Sequence, residues 1–236
     1  MTKILIFTAT YNESENITDF LDKVFSLQEN LDILIVDDNS PDQTGQLIEN
    51  FKRSENKNLY LIKRPKKEGL NTAHKIAFEY AKKNDYEILI TLDADLSHDP
   101  LIIPKFLKEL KTNPFVIGSR YMRGGKNEMS FFRNVMSLFG NKLIKFLLNI
   151  QVDEFTTSYR GFNLKLLKGF NMSEVSLEGY SFFMGTINLL QNTGNKIVQI
   201  PIEFKDRTKG KSKIPKIEIL RTLKNLFLIK IGIIKK

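Results

Sequence analysis

The chain has 236 residues, no cysteine, two histidines and a formal net charge of +9, with 42% hydrophobic and 27% charged residues. That length buries one good core, and the lack of cysteine excludes disulfides, zinc-thiolate centres and thiol nucleophiles. A positive balance suits nucleic acid, an anionic membrane surface or phosphorylated small molecules, but much of the excess lies between Lys205 and Lys236, with no basic stripe of interleaved aromatics, so no nucleic-acid partner is expected.

Ile4 to Thr10 reads as a strand and follows the amino terminus directly, without the sections of a signal peptide, which predicts a cytosolic chain. Ile17, Phe20, Leu21, Val24 and Phe25 recur at helical spacing, with Ser14 as the expected cap. Ile33 to Val36 is a second strand, Leu47, Ile48 and Phe51 mark a helix, and Leu59 to Ile62 is a third strand. Ala73, Ile76, Ala77 and Tyr80 mark the next helix, in which His74 reads as a partly exposed structural residue. The apolar run Ile88 to Leu92 ends at Asp93-Ala94-Asp95, Pro100 to Lys111 is helical with Pro in its first turn, and Phe115 to Ile117 is a short strand. This alternation predicts an α/β fold, a mostly parallel central sheet with helices on both faces.

After Gly118 the regularity fails. Arg120 to Glu128 is basic and glycine-rich, as in a loop, and Ser130 to Leu148 is helical with Val135, Leu138, Phe139, Leu143, Phe146 and Leu147 on one face. A polar segment from 152, a short helix, a helix near Phe182 to Gln191 and a strand from Ile197 to Phe204 follow. Residues 214–236 repeat apolar positions at helical spacing, broken by Lys216, Arg221, Lys224 and Lys230, too often for a spanning helix. Such a basic amphipathic helix suits a membrane interface, or packs on the domain or a partner subunit. The expected organisation is one α/β domain over 1–213 and a carboxyl-terminal helix over 214–236.

The chemistry gathers at strand ends. Thr8 to Glu13 closes the first strand, Val36 to Asp42 the second, Asp93 to Asp95 the fourth, and Gly118-Ser119-Arg120-Tyr121 the fifth, all on the rim where open α/β sheets bind ligands. Two carboxylates one residue apart repel unless a cation lies between them and a polyanion, and Mg²⁺ is commonly held by one or two carboxylates plus substrate phosphates. The alternative is a solvated turn, in which Asp is common. Ser97, His98 and Asp99, being adjacent, do not form a hydrolytic triad among themselves.

With these motifs in this order, nearly the whole chain resembles glycosyltransferase family 2, and within it the dolichyl-phosphate mannose synthase group. The resemblance implies a GT-A (nucleotide-diphospho-sugar transferase) fold whose first strand ends bind the donor nucleoside through Ala9, Tyr11, Glu13, Val36 and Asp38. It implies a DxD motif at Asp93, Ala94 and Asp95 that binds the donor with Mg²⁺ or Mn²⁺, Asp95 foremost and Ser97 as a further contact. Arg120 matches an arginine that contacts donor or acceptor phosphate. Arg133 and the segment Thr156 to Arg160 match positions near the acceptor phosphate, and Arg207 and Lys213 match a basic loop over the donor phosphates. Asp93, Asp95 and Arg120 are the implied catalytic set. Two positions depart from the pattern: Ala9 stands in place of Pro, and Phe183-Met184-Gly185 in place of Gln-Met-Glu, which bears on the sugar or acceptor.

The expected activity is inverting, metal-dependent transfer of a hexose, mannose or glucose, from a nucleotide sugar to a polyprenyl phosphate at the cytosolic face of a membrane. Transfer to a saccharide hydroxyl is the alternative, and it requires a carboxylate base, Asp153 or Glu154. A non-catalytic basic nucleotide- or nucleic-acid-binding protein is the alternative from another class.

Overall fold

A computed structural model describes residues 2–27, 29–55, 58–205 and 217–231. The alternating amino-terminal half forms β1 (Ile4–Thr10), α1 (Ile17–Phe25), β2 (Leu31–Asp37), α2 (Thr44–Glu55), β3 (Leu59–Lys63), α3 (Leu70–Lys83), β4 (Ile88–Thr91), α4 (Ile103–Leu110) and β5 (Phe115–Ser119). The less regular half forms β6 (Lys126–Asn127), α5 (Phe131–Leu148), β7 (Arg160–Asn163), α6 (Tyr180–Asn192), β8 (Ile197–Pro201), β9 (Glu203–Phe204) and α7 (Ile217–Lys230).

The main sheet has seven strands in the order β3-β2-β1-β4-β7-β5-β8. Its pairs are parallel except at β7, which runs antiparallel to both neighbours with Arg160 opposite Thr91 and Ile117. Because successive strand side chains point to opposite faces, Leu5, Phe7, Leu34 and Val36 meet Ala77, Phe78, Ile144, Phe182 and Leu226 of α3, α5, α6 and α7. Ile6, Ile33, Ile35 and Ile90 meet Phe20, Val24, Ile48 and Phe106 of α1, α2 and α4 on the other face. The expected helix–sheet–helix sandwich is therefore formed.

Several expectations change. Asn16, not Ser14, precedes the first turn of α1, and it makes no side-chain cap bond. Strand β7 carried no legible strand pattern; β6 forms inside the expected loop, and the strand expected over Ile197 to Phe204 divides into β8 and β9, of which β9 pairs with β6 in a separate two-stranded ribbon. His74 is fully buried among Phe7, Phe182 and Phe183, and burial pushes its imidazole down to about 3, so it is neutral core. On α5, the apolar face splits: Leu143 and Leu147 pack on the core, while Phe139 is 68% and Phe146 79% exposed. Helix α7 buries Leu226 and Ile229 in the same core as α6 and exposes Phe227 at 62%, so it is both a packed element and an amphipathic surface. The boundary expected at 213/214 lies outside the described residues. Among those described, no helix is long and apolar enough to cross a membrane.

Glycine in the loop after β5 has a steric reason. A Cβ on Gly125 would stand 2.6 Å from the Ser119 carbonyl oxygen and 2.7 Å from that of Arg120, so only glycine lets the chain fold back across the strand end that presents Arg120. Gly125→Ala is expected to destabilise the protein by roughly 1–3 kcal/mol through overpacking against backbone, read from the midpoint of urea unfolding.

Candidate active site

The loops after β1 and β2 are stitched together by short polar side chains. Thr10 Oγ1 donates to Asp37 Oδ1 at 2.7 Å, and Asp37 also accepts from the Ser40 backbone and hydroxyl. Backbone amides of Asn12, Glu13 and Ser14 donate to Ser40 Oγ, Thr44 Oγ1 and Asp42 Oδ2 at 2.9 to 3.0 Å. Burial alone would raise the Asp42 carboxyl, but bonds from Thr44 and Ser14 outweigh it and hold the group below its usual range. Asn12 and Asn39 take left-handed backbone, φ 58° and 56°, a conformation that Asn tolerates better than most residues. This stitching holds the loop that carries Tyr11 and Glu13, both half-buried, beside Asp38, whose amide donates to the Thr10 carbonyl, and Glu13 Oε2 accepts from Asn16 Nδ2 at 3.0 Å.

Asp38 and Ala9 lie at that rim as expected, but Val36 is fully buried in the core and can only support the pocket from below. Asp38 is joined by Arg64, which also bonds Thr72 and the Gly69 carbonyl. Burial pushes the Asp38 carboxyl up, against the pull of that guanidinium. Lys67 lies 4.3 Å from the centroid of the Tyr11 ring. Sequence reasoning missed Arg64 and Lys67, although their place after the third strand end was a usable signal.

The acidic pair lies one step beyond β4. The strand stops at Thr91, so Asp93 and Asp95 belong to a turn, and strand alternation does not orient them. Leu96 in left-handed backbone, φ 60°, closes that turn. Ser97 N and Oγ both donate to Asp95 Oδ1, at 3.0 and 2.6 Å, and Asp95 is buried while the Asp93 side chain is 38% exposed. Among the described residues no cluster of three acidic or histidine side chains forms a complete protein cage for a metal. Two carboxylates with a hydroxyl beside them fit a cation whose remaining ligands are phosphate and water. The donor chemistry thus fits Mg²⁺ or Mn²⁺, with Asp95, Asp93 and Ser97 as the holding groups.

Arg120 follows β5. Its Nε and Nη2 grip both oxygens of the fully buried Glu154 at 2.7 and 2.9 Å, and Nη2 also reaches Thr156 Oγ1 at 3.0 Å. Burial would raise the Glu154 carboxyl, but Arg120 and the Thr156 donors hold it below its usual range, and the same pair raises Arg120. A carboxylate so committed is a poor general base. Asp153, the other candidate base, accepts from Lys145 Nζ at 2.7 Å and from the Gln199 amide at 3.4 Å.

Not every expected phosphate contact is available. Arg160 is fully buried, donates to the carbonyls of Thr157, Phe183 and Phe155 at 2.8 to 2.9 Å, and stacks on Phe183. It holds the loop before β7 and does not face a ligand. Arg133 is exposed on the first turns of α5. Arg207 and Lys213 lie outside the described residues. At the departure Phe183-Met184-Gly185, glycine packs closely: a Cβ on Gly185 would stand 2.8 Å from Leu177 Cδ1 and 3.1 Å from Val175 Cγ1, so a larger residue requires those side chains to shift.

The family model for glycosyl transferase family 2 matches residues 5–170. The chain is 30% identical over 213 residues to an undecaprenyl-phosphate mannosyltransferase of Micrococcus luteus, covering 90% of this chain and 87% of that protein. It is 31% identical over 214 residues to a polyprenol monophosphomannose synthase of Mycolicibacterium smegmatis, covering 90% and 81%. Among solved structures, glucosyl-3-phosphoglycerate synthase from Mycobacterium tuberculosis, in complex with Mn²⁺, UDP and glucosyl-3-phosphoglycerate, superposes with TM-score 0.67 at 16% identity, over 98% of this chain and 80% of that one. A mannosyltransferase from Pyrobaculum calidifontis in complex with GDP-Man and Mn²⁺ gives TM-score 0.54 at 18% identity, over 96% and 70%. At these identities the structural likeness establishes the fold.

The Arg120–Glu154 pair makes a direct prediction. Replacing Glu154 by Gln leaves a buried guanidinium without its counter-charge, which typically costs about 3–5 kcal/mol. Equilibrium urea unfolding of Glu154→Gln is expected to show that loss.

Proposed function

The chain belongs to glycosyltransferase family 2 and is a glycosyltransferase, and we propose that it transfers a hexose, mannose foremost, from a nucleotide-diphospho-sugar to a polyprenyl phosphate at a membrane surface. One observation carries the lipid acceptor: an exposed aromatic helix begins beside the rim. Phe131 is 85% and Phe132 72% exposed at the start of α5, next to Arg133, and Phe139 continues the face. Asn127 Nδ2 bonds both Tyr121 Oη and Asn134 Oδ1, at 3.2 and 3.0 Å, and so ties this helix to the residue after Arg120. Contiguous exposed apolar surface of this kind marks an interaction site. Each phenylalanine moved from water into the acyl boundary contributes roughly 1.5–3 kcal/mol, and Lys142 on α5 and Lys224 on α7 are exposed to meet anionic headgroups. The relatives from Micrococcus luteus and Mycolicibacterium smegmatis, named for polyprenyl acceptors, support the same reading.

The chemistry follows from the residues present. Tyr11, Glu13 and Asp38 hold the nucleoside, and Asp93 and Asp95 would hold Mg²⁺ or Mn²⁺ beside the diphosphate. Bound there, such a cation would supply positive charge to offset what grows on the leaving diphosphate. The acceptor phosphate, with a second pKa of about 6, is largely dianionic at neutral pH and needs no base to attack the anomeric carbon. Arg120 and Arg133 guide it to the face opposite the departing nucleotide, so one displacement inverts the anomeric centre. The commitment of Glu154 to Arg120 and of Asp153 to Lys145 favours this over a saccharide hydroxyl, which would require one of them as base. With the chain an enzyme of this family, the non-catalytic alternative drops out.

Two measurements test the reading. Purified protein given GDP-mannose or UDP-glucose with undecaprenyl phosphate and Mn²⁺ is expected to yield an organic-extractable glycolipid, at least 100-fold reduced in Asp95→Ala; glycosylation of a free saccharide alone would overturn it. Because α7 supplies core residues, truncation is a poor membrane test. The triple substitution Phe131→Ser, Phe132→Ser, Phe139→Ser is expected to release the protein from anionic vesicles in sedimentation with its far-UV spectrum unchanged, and undiminished binding would remove the membrane from the proposal.

A further inference from the structure

His98 is the polar residue nearest the acidic pair that the reaction above leaves without a task. Its ring is buried, with Nδ1 3.6 Å from Asp93 Oδ2 and Nε2 3.1 Å from Thr157 Oγ1. The seat is rigid. Tyr159 lies 5.5 Å from the ring on one side, itself stacked on Phe106 at 4.3 Å and donating its hydroxyl to the Asp99 carbonyl. Phe204 lies edge-on at 5.4 Å on another, its backbone bridged to His98, and Lys205 N donates to Ser97 O at 3.1 Å.

The neighbours favour one tautomer. Thr157 Oγ1, which accepts the Tyr159 amide at 3.2 Å, has its own proton to give Nε2, and the Asp93 carboxylate on the other side of the ring favours a proton on Nδ1. At 3.6 Å the contact with Asp93 is longer than a hydrogen bond, and a few tenths of an ångström close it to bonding length. Asp95 already has such a holder in Ser97, which gives it two hydrogen bonds.

We infer that His98 is a positioning residue for Asp93, using the Nδ1 proton to hold the more exposed carboxylate of the pair in the rotamer that receives a divalent cation. The inference rests on the metal reading of Asp93 and Asp95. Its logic is preorganisation: a carboxylate oriented by a fixed donor loses less rotamer freedom on binding, and partners of this kind are typically worth about 10–100-fold in metal affinity. Thr157, in the segment that leads into β7, passes that order from the far side of the ring.

The test is Mn²⁺ binding by the full chain in saturating GDP or UDP, read from the electron paramagnetic resonance signal of free Mn²⁺. His98→Gln places its amide toward Thr157 and removes the imidazole donor from the Asp93 side, and is expected to weaken binding by about 10–100-fold. His98→Asn places an amide donor near the Nδ1 position and is expected to stay within about threefold of wild type, an order opposite to what ring-filling by side-chain volume would give. In an Asp93→Asn background His98→Gln is expected to change affinity less than about twofold, because residues that act through one another are not additive. Should His98→Gln not fold, as its thermal transition would reveal, Thr157→Val serves, with a severalfold loss expected. Wild-type affinity in His98→Gln or in Thr157→Val, or simple additivity with Asp93→Asn, overturns the assignment alone. Equal Mn²⁺ binding by wild type and Asp95→Ala overturns the metal reading, and the assignment with it.

Discussion

The insertion of one antiparallel strand, β7, between β4 and β5 is the constraint on which the site depends. A parallel strand there would deliver its carboxyl end to the rim; β7 delivers its amino end, and with it the segment from Glu154 to Tyr159. Glu154 and Thr156 then meet Arg120 after β5, and Thr157 meets His98 after β4. The acidic loop and the basic strand end, which like-sign clustering and desolvation would otherwise keep apart in orientation, are each held by a partner from this one segment.

The rim is built from buried ion pairs more than from exposed ones. Arg64 with Asp38 and Arg120 with Glu154 are both withdrawn from water. Such pairs add little net stability, because desolvation offsets most of their attraction, but breaking one is expensive. Their use here is orientation. A guanidinium gripped at two nitrogens cannot sample many rotamers, so in the proposed reaction a phosphate beside Arg120 would meet a side chain already in place. The same economy applies to Arg160, whose burial lowers it to about 9 while three carbonyls satisfy its donors and fix the loop before β7.

Helices α5 and α7 carry apolar residues both toward the core and toward the outside. Ile144, Leu226 and Ile229 face the sheet, while Phe131, Phe132, Phe139 and Phe227 face outward. A helix apolar on both sides would be costly in water alone; on the proposed reading, the outward face of α5 would meet the bilayer that holds the acceptor's apolar tail while its phosphate reaches the charged strand ends.

Much of this was legible in the residues alone. The period of apolar positions sufficed for β1 to β5 and the helices between them, because parallel strands buried on both faces read as short continuous apolar runs. The strand-end motifs located Tyr11, Asp38, Asp93, Asp95 and Arg120, because a parallel sheet places every such end on one rim. Strand β7, Arg-Gly-Phe-Asn, is too short and too polar to announce itself, since its pairing comes from two neighbours distant in sequence. The partners that neutralise or orient the site, Arg64 for Asp38, Glu154 for Arg120 and Thr157 for His98, are 26, 34 and 59 residues away along the chain. Which face of α5 meets water was equally undecidable, because helical spacing marks an apolar stripe without saying what covers it. The sequence by itself therefore determined the repeating α/β frame and the charges at its strand ends; only the tertiary structure decided which charges are paired, since ion-pair geometry depends on contacts that close over long loops and leave no local pattern.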